Sequence, residues 1–276
     1  MAMLVKLAGD RGVHLFEIMF WRHFTTIPII FGFLAATGGL ANLRTERFGA
    51  HLRRSIAGTF GMSLMFGAFL MLPLAEATAL NFTLPLFATL LSMVMLREMV
   101  GPWRWFALAA GFAGVLVITQ PGSGHIPILG ALVGLGAAFM MALLSILIKD
   151  LNRQDHPLAI VFWFAALGSP ITALSLPFVM TPHDSSTWWL LLATGISGTA
   201  GQVLLTLALR FGQVSSVIVM DYTGLVWATL YGWLVWDHLP PAATWLGAPL
   251  IIGAGIIIVW REHSLHKERT ETIAQA

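Results

Sequence analysis

Nine apolar runs constrain this chain more than any other feature. They cover approximately Glu17–Thr37, Ser55–Leu72, Ala77–Leu96, Trp103–Thr119, Pro127–Ile148, Leu158–Met180, Thr187–Leu209, Val214–Val235 and Ala243–Trp260. Each is close to the ~20 residues a helix needs to cross the hydrocarbon core of a bilayer. The segments between them are short and carry Gly, Pro or charge, as in REMVGP, QPGSGHIP, KDLNRQDHP, TPHDSS, RFGQ and WDHLPP. Of the 276 residues 57% are hydrophobic and 10% charged; a soluble domain carries roughly 25% charged residues. Lipid must therefore solvate most of the surface, and the expected fold is an all-α polytopic membrane protein. Many of the 11 tryptophans (Trp103, Trp105, Trp188, Trp189, Trp236, Trp245, Trp260) fall near run ends, where interfacial aromatics belong. With no cysteine there is no disulfide framework, thiol nucleophile or Cys-based metal site. The net charge of +2 gives no footprint for nucleic acid.

The runs are also duplicated. Around the turn REMVGPWR, Glu98 matches Asp237, Pro102 matches Pro241 and Gly114 matches Gly253, at a constant offset of 139. Earlier in each copy Lys6 matches Lys149 and Phe20-Trp21 matches Phe162-Trp163. In the second copy Lys149 ends a full apolar run, whereas only Met1–Val5 precede Lys6. The duplication thus predicts ten helices with the first reduced to a stub, as a start codon placed too far downstream or a truncation would leave it. The expected division is 1–119 for the first repeat, 120–262 for the second and 263–276 for a polar, disordered, cytoplasmic tail. Five helices per copy is odd, so the second copy lies inverted. Charge supports this reading: one side takes Arg44, Arg47, Arg53, Arg54, Arg97, Arg104, Lys149, Arg153, Arg210, Arg261, Lys267 and Arg269, and the other only Lys6, Arg11 and Arg22. The richer side is cytoplasmic by the positive-inside rule, which puts the C-terminus inside the cell at the inner membrane. Inverted repeats place solute sites near the midplane between the halves.

These features resemble the EamA-domain family of the drug/metabolite transporter superfamily. The likeness rests on two five-helix repeats, each ending in an apolar hairpin with an acid at its turn (Glu98, Asp237) and a Gly-rich last helix (Gly111, Gly114; Gly247, Gly253, Gly255). FWR (Phe20–Arg22), LPLAEATALNFTLPLFATLLSMVMLRE and GAPLIIGAGIIIVW are similar to its members as well. The resemblance covers essentially the whole chain. It implies a carrier of metabolites such as amino acids, purines, riboflavin or S-adenosylmethionine.

Within the runs, Asp221 is the sharpest candidate, because an intramembrane carboxylate costs about 2.5–3.5 kcal/mol on insertion scales and defaults to a functional role. It reads either as a substrate-amine contact and proton-coupling site or as a structural acid paired with Arg210. Thr78, Asn81 and Thr83 lie beside Pro85, which frees the carbonyl of Asn81 for a ligand or a neighbouring helix; interhelical hydrogen bonding is the competing reading. Gln202, Thr206, Tyr222 and Thr223 carry the same two readings. Tyr222 and Trp163 are suited to stacking a planar solute or to core packing. Arg22 and Glu17 read as an outer-rim pair, placed either to attract an anionic solute or, as the commoner reading, with Arg22 snorkelling at the interface, and Glu98 and Asp237 read as caps of the helix after each turn. The glycines, Gly130 and Gly134 and the triplet Gly195, Gly198 and Gly201, read as packing positions. Gly195-Ile196-Ser197-Gly198 carries the G-x-S-G pattern of an intramembrane serine protease, but no histidine lies in a later apolar run to serve Ser197 as base. No H-E-x-x-H and no Walker A motif occur. The expectation is a secondary transporter, not an enzyme, with no catalytic residue, cofactor or metal. Its partners would be a small-molecule solute, membrane lipid and a second copy in a homodimer, with no nucleic acid; a lipid flippase is the further alternative.

Overall fold

The computed structural model describes residues 1–96, 102–120, 126–211 and 223–274, where all regular structure is helical. In chain order the helices are α1 Ala2–Asp10, α2 Leu15–Ala36, α3 Phe48–Met71, α4 Leu74–Asn81, α5 Leu84–Leu96, α6 Pro102–Thr119, α7 Ile128–Leu151, α8 Pro157–Ala173, α9 Leu176–Val179, α10 Ser185–Phe211, α11 Gly224–Trp236 and α12 Ala242–Ala274, with one 3-10 turn at Leu40–Leu43. Among the described residues α2, α3, the stretch Leu74–Leu91, α7 and α10 are long and apolar enough to span a bilayer. Trp105–Thr119, Pro157–Ala173, Gly224–Trp236 and Ala242–Ile258 are shorter apolar helices.

Two compact units divide the chain. The first combines Met1–Met71 with Leu143–Gly212, the second Leu72–Ala142 with Gln213–Ala276. Each unit thus takes the same portion of both halves of the chain. In the first, α2 packs on α8 and α10, and α3 packs on α8. In the second, α6 runs along α12, and α11 lies against α4.

Small residues set these packings. In the second unit a Cβ on Gly114 would stand 2.7 Å from the Gly247 carbonyl oxygen, and one on Gly247 2.6 Å from the Gly114 carbonyl oxygen. Backbone meets backbone there, beside the Ile118 and Ile251 side chains. In the first unit a Cβ on Gly195 would lie 2.5 Å from Thr25 Cβ, and one helical turn away the Thr26 and Thr199 hydroxyls pair at 2.7 Å.

Two helices of the first unit, α2 and α3, bury polar and charged side chains and expose large apolar ones. On α3 the buried face is polar in its first half, with His51, Arg54, Ser55 and Thr59, and apolar in its second, with Met62, Phe66, Ala68 and Phe69. Leu52, Ile56 and Phe60 on the other face are exposed, as lipid-facing residues would be. On α2, Glu17, Arg22, His23 and Thr26 are buried while Phe24, Phe31 and Phe33 are exposed.

Five local expectations are corrected. Helix α3 begins at Phe48, not Ser55, because FGAHLRR holds no residue that breaks a helix after Gly49; Arg54 is thereby carried inside. Arg22 does not snorkel at a rim: it is 6% exposed, being turned toward α8 and α10. Asp237 does not cap the following helix. It ends α11 in the left-handed region at φ 49°, a conformation that Asp tolerates better than most side chains. The run Leu158–Met180 is broken between α8 and α9 at Leu174-Ser175, where Pro170 and Pro177 each remove a helical donor. Finally, α12 continues to Ala274 instead of yielding to a disordered tail at His263, since HSLHKERTETIA contains no Gly or Pro and several strong helix formers.

Candidate functional site

The first unit holds a buried basic cluster centred on the ring of Phe164 from α8. Arg54 of α3 lies over that ring with its guanidinium carbon 3.6 Å from the centroid. Arg22 of α2 approaches at 5.6 Å. The neighbouring His23 meets the same ring edge-on at 4.7 Å between centroids. The two guanidinium carbons are therefore no further apart than the sum of their distances to one ring. Exposure is 2% for Arg54, 6% for Arg22 and 0% for His23.

Glycines on three helices admit these side chains. A Cβ on Gly58 would lie 2.7 Å from Phe164 and 3.1 Å from an Arg54 terminal nitrogen; on Gly168, 2.8 Å from His23 Nε2; on Gly198, 2.9 Å from Arg22 Nε. Gln202, one turn past Gly198 on α10, accepts a 3.5 Å hydrogen bond from Arg22 through Oε1. Apart from that bond the cluster is short of acceptors. Arg22 Nε, Arg54 Nε and Nη1, both His23 nitrogens, Thr59 Oγ1 and Gln202 Nε2 are buried with no hydrogen-bond partner. Among the described residues no carboxylate pairs with either arginine. Three acids of this unit lie against other partners: Glu17 meets His183 at 2.7 Å, Asp155 stands 3.5 Å from His51, and Asp150 pairs with Arg47.

The second unit contributes a helix interruption. Helix α4 ends at Asn81 and α5 begins at Leu84, because Pro85 supplies no N–H to a continuous ladder. The Thr83 amide turns back to Leu80 at 3.1 Å. Asn81 Oδ1 sits at this break, buried and without a hydrogen-bond partner. In transporters such discontinuous helices frequently line solute sites.

The remaining predicted residues take their places around these features. Thr78 and Thr83 return their hydroxyls to the Leu74 and Leu80 carbonyls, each at 2.7 Å. Thr206 does the same to Gln202 at 2.7 Å, and its own carbonyl accepts from Asn152 at 3.0 Å. The Trp163 indole N–H donates to the Leu43 carbonyl at 2.9 Å, with the ring against Phe48 at 5.6 Å. Thr223 precedes α11 and is exposed. Asp221, Tyr222 and Glu98 lie outside the described residues. Ser197 Oγ donates to the Thr194 carbonyl of its own helix at 3.2 Å. Trp163, Gln202 and Thr206 belong to the first unit; Thr78, Asn81, Thr83 and Thr223 belong to the second.

Sequence reasoning singled out Gln202 and missed Arg54, His23 and Thr59. The signal was present in the helical spacing of polar residues inside apolar runs: Arg22, His23 and Thr26, and then His51, Arg54, Ser55 and Thr59.

Comparison with known proteins gives the biological context. A family described as EamA-like transporter family matches residues 1–120 and again 128–260. A riboflavin transporter of Vibrio cholerae is 34% identical over 246 residues, covering 88% of this chain and 82% of the relative. A pseudopaline exporter of Pseudomonas aeruginosa is 32% identical over 246 residues, covering 88% and 85%. An S-adenosylmethionine uptake transporter of Rickettsia prowazekii is 26% identical over 270 residues, covering 97% and 90%. A crystal structure at 21% identity superposes with a TM-score of 0.68 over 93% of this chain and 94% of the other, a likeness of fold.

Proposed function

Because the chain belongs to the EamA-like transporter family and is a membrane transporter of small molecules, we propose that it is a secondary carrier of a small organic metabolite at the inner membrane, working by alternating access with its C-terminus in the cytoplasm. One observation carries the reading. Each compact unit interleaves the same portion of both halves of the chain, as two repeats related by a pseudo-two-fold axis would. Equivalent helices pair across the copies inside each unit, α2 with α8 in one and α6 with α12 in the other. The α4–α5 break and the orphaned Asn81 Oδ1 supply a polar point inside an apolar span. Asp221 is retained as the coupling candidate, and Thr78, Asn81, Thr83, Trp163, Gln202, Thr206, Tyr222 and Thr223 as solute contacts.

The absence of cysteine makes a direct test simple. Single-cysteine variants Asn81→Cys and Gln202→Cys are labelled with a membrane-impermeant thiol reagent in right-side-out and in inside-out vesicles. Alternating access requires labelling from both faces. Labelling from one face only, in both variants and in the presence or absence of riboflavin, S-adenosylmethionine and amino acids, rejects it. In proteoliposomes uptake should saturate with solute and need no ATP; uptake equal to that of empty liposomes for every solute offered argues against a carrier of this class.

A further inference from the structure

We propose that the Arg22–Arg54 cluster is the recognition site for an oxyanion, a carboxylate or phosphate group on the transported solute. The inference rests on the carrier reading above and adds the chemical class of what is carried. Its first support is an imbalance of donors over acceptors. Of the buried atoms left without partners, Arg22 Nε, Arg54 Nε and Nη1, Thr59 Oγ1, Gln202 Nε2 and one of the His23 nitrogens can all donate. Among the described residues the one hydrogen bond that either guanidinium makes is from Arg22 to Gln202 Oε1, at 3.5 Å. Unsatisfied buried polar groups of this number are rare in proteins and call for a specific explanation. Here the arginine and Gln202 nitrogens and one His23 nitrogen call for the same thing, an electron-rich oxygen, which the Thr59 hydroxyl can also serve as donor.

Charge adds a second, independent support. Two guanidiniums approach one phenylalanine ring, and a buried cation is costly unless it is paired. Among the described residues no acid forms an ion pair with Arg22 or Arg54, and Glu17, Asp155 and Asp150 face His183, His51 and Arg47 instead. An oxyanion on the solute would supply the missing counter-charge. The planar fork of a guanidinium fits both carboxylate and phosphate with two parallel hydrogen bonds, so two arginines and the hydroxyl of Thr59 suit one oxyanion in a dry setting. Glycines at 58, 168 and 198 keep the donors at close quarters. The cluster is closed to solvent here, and the solute reaches it through the rearrangement that alternating access requires.

The test compares the melting of the full chain in nanodiscs with its Arg54→Met variant, using inorganic phosphate and succinate against chloride at equal ionic strength. Arg54→Met removes one unpaired buried charge and conserves volume, so without probe it should melt no lower than the wild type. The wild type should gain on the order of 5 °C when a probe stands at a hundredfold its Kd, and Arg54→Met should lose that gain. The general stabilisation that phosphate gives any protein is common to both and cancels. Arg54→Lys, which keeps the charge but loses the fork, should retain only part of the gain. A larger response to phosphate or to succinate identifies which oxyanion the site prefers. Equal responses in wild type and Arg54→Met overturn the proposal, and so does a wild type indifferent to both probes. Saturable transport of neutral riboflavin by that indifferent protein would leave the carrier reading intact while removing the oxyanion site. A probe response without transport of any solute would do the reverse.

Discussion

Glu17 has no exposed surface and holds His183 Nε2 at 2.7 Å, joining the first turn of α2 to the loop before α10. Removing one partner of a buried pair leaves an uncompensated group and costs about 3–5 kcal/mol. His183→Ala should therefore lower the melting temperature sharply, and adding Glu17→Gln should recover part of the loss in a double-mutant cycle. A cycle in which the two effects simply add would show that the pair is not coupled. The neighbouring Asp184 caps α10, accepting from the Thr187 amide at 3.2 Å and from the Ser186 hydroxyl. Its hydrogen bonds to Ser186 and Thr187 hold its carboxyl below the usual carboxylate range. A depressed carboxylate stabilises the fold at and above that ordinary range, and the contribution disappears only as pH falls through the depressed value. Asp184→Ala should therefore melt lower than the wild type at neutral pH, and the two curves should converge only in strong acid. Convergence already at mildly acidic pH would refute the assignment. At this scale the sequence was only partly legible. A buried arginine is written with the same letter as an interfacial one, and Arg22 and Arg54 change meaning only once α8 brings Phe164 up to both.

Helix positions, by contrast, follow from apolar run length with little ambiguity, because a bilayer admits few ways of satisfying a backbone. The misreadings came at the ends, where polar residues were assumed to mark water. In α3 His51, Arg54 and Ser55 are polar yet face the protein interior. The break between α4 and α5 was half visible: Pro85 announced a freed carbonyl, but not that the whole turn at Phe82-Thr83 would leave the helix. The contact between α6 and α12 gives the most stringent element-scale prediction. Gly114→Val would force side-chain atoms against the Gly247 carbonyl and Leu250 Cβ, neither of which can swing away. Overpacking of this sort costs about 1–3 kcal/mol, or roughly 2–10 °C at this chain length. Gly253→Val on α12, where a Cβ would meet nothing within 4 Å, should be close to neutral in the same thermal assay. Equal losses at the two positions would count against backbone-to-backbone packing.

For the whole molecule, the duplication was legible from a handful of matched residues, whereas the way its halves are shared between two units was not, because periodicity says nothing about which copy a helix packs on. That sharing predicts how the chain responds to cutting. Residues 1–142 alone hold α2 and α3 without α8 and α10, so neither the Phe164 ring nor Gly198 is available to Arg22. Expressed alone, 1–142 should be degraded; co-expressed with 143–276 it should be recovered as a complex on purification. Stable accumulation of 1–142 by itself would contradict the unit boundaries. The interleaving also sets a schedule for biogenesis. A ribosome adds about 5–20 residues per second, and α2 with its Glu17, Arg22 and His23 leaves it long before α8 and α10 are made. For many seconds the newborn membrane must tolerate charged side chains whose shelter does not yet exist. Insertion factors that hold such early helices at the membrane edge, rather than the final stability of the carrier, would then govern how much of it a cell can make.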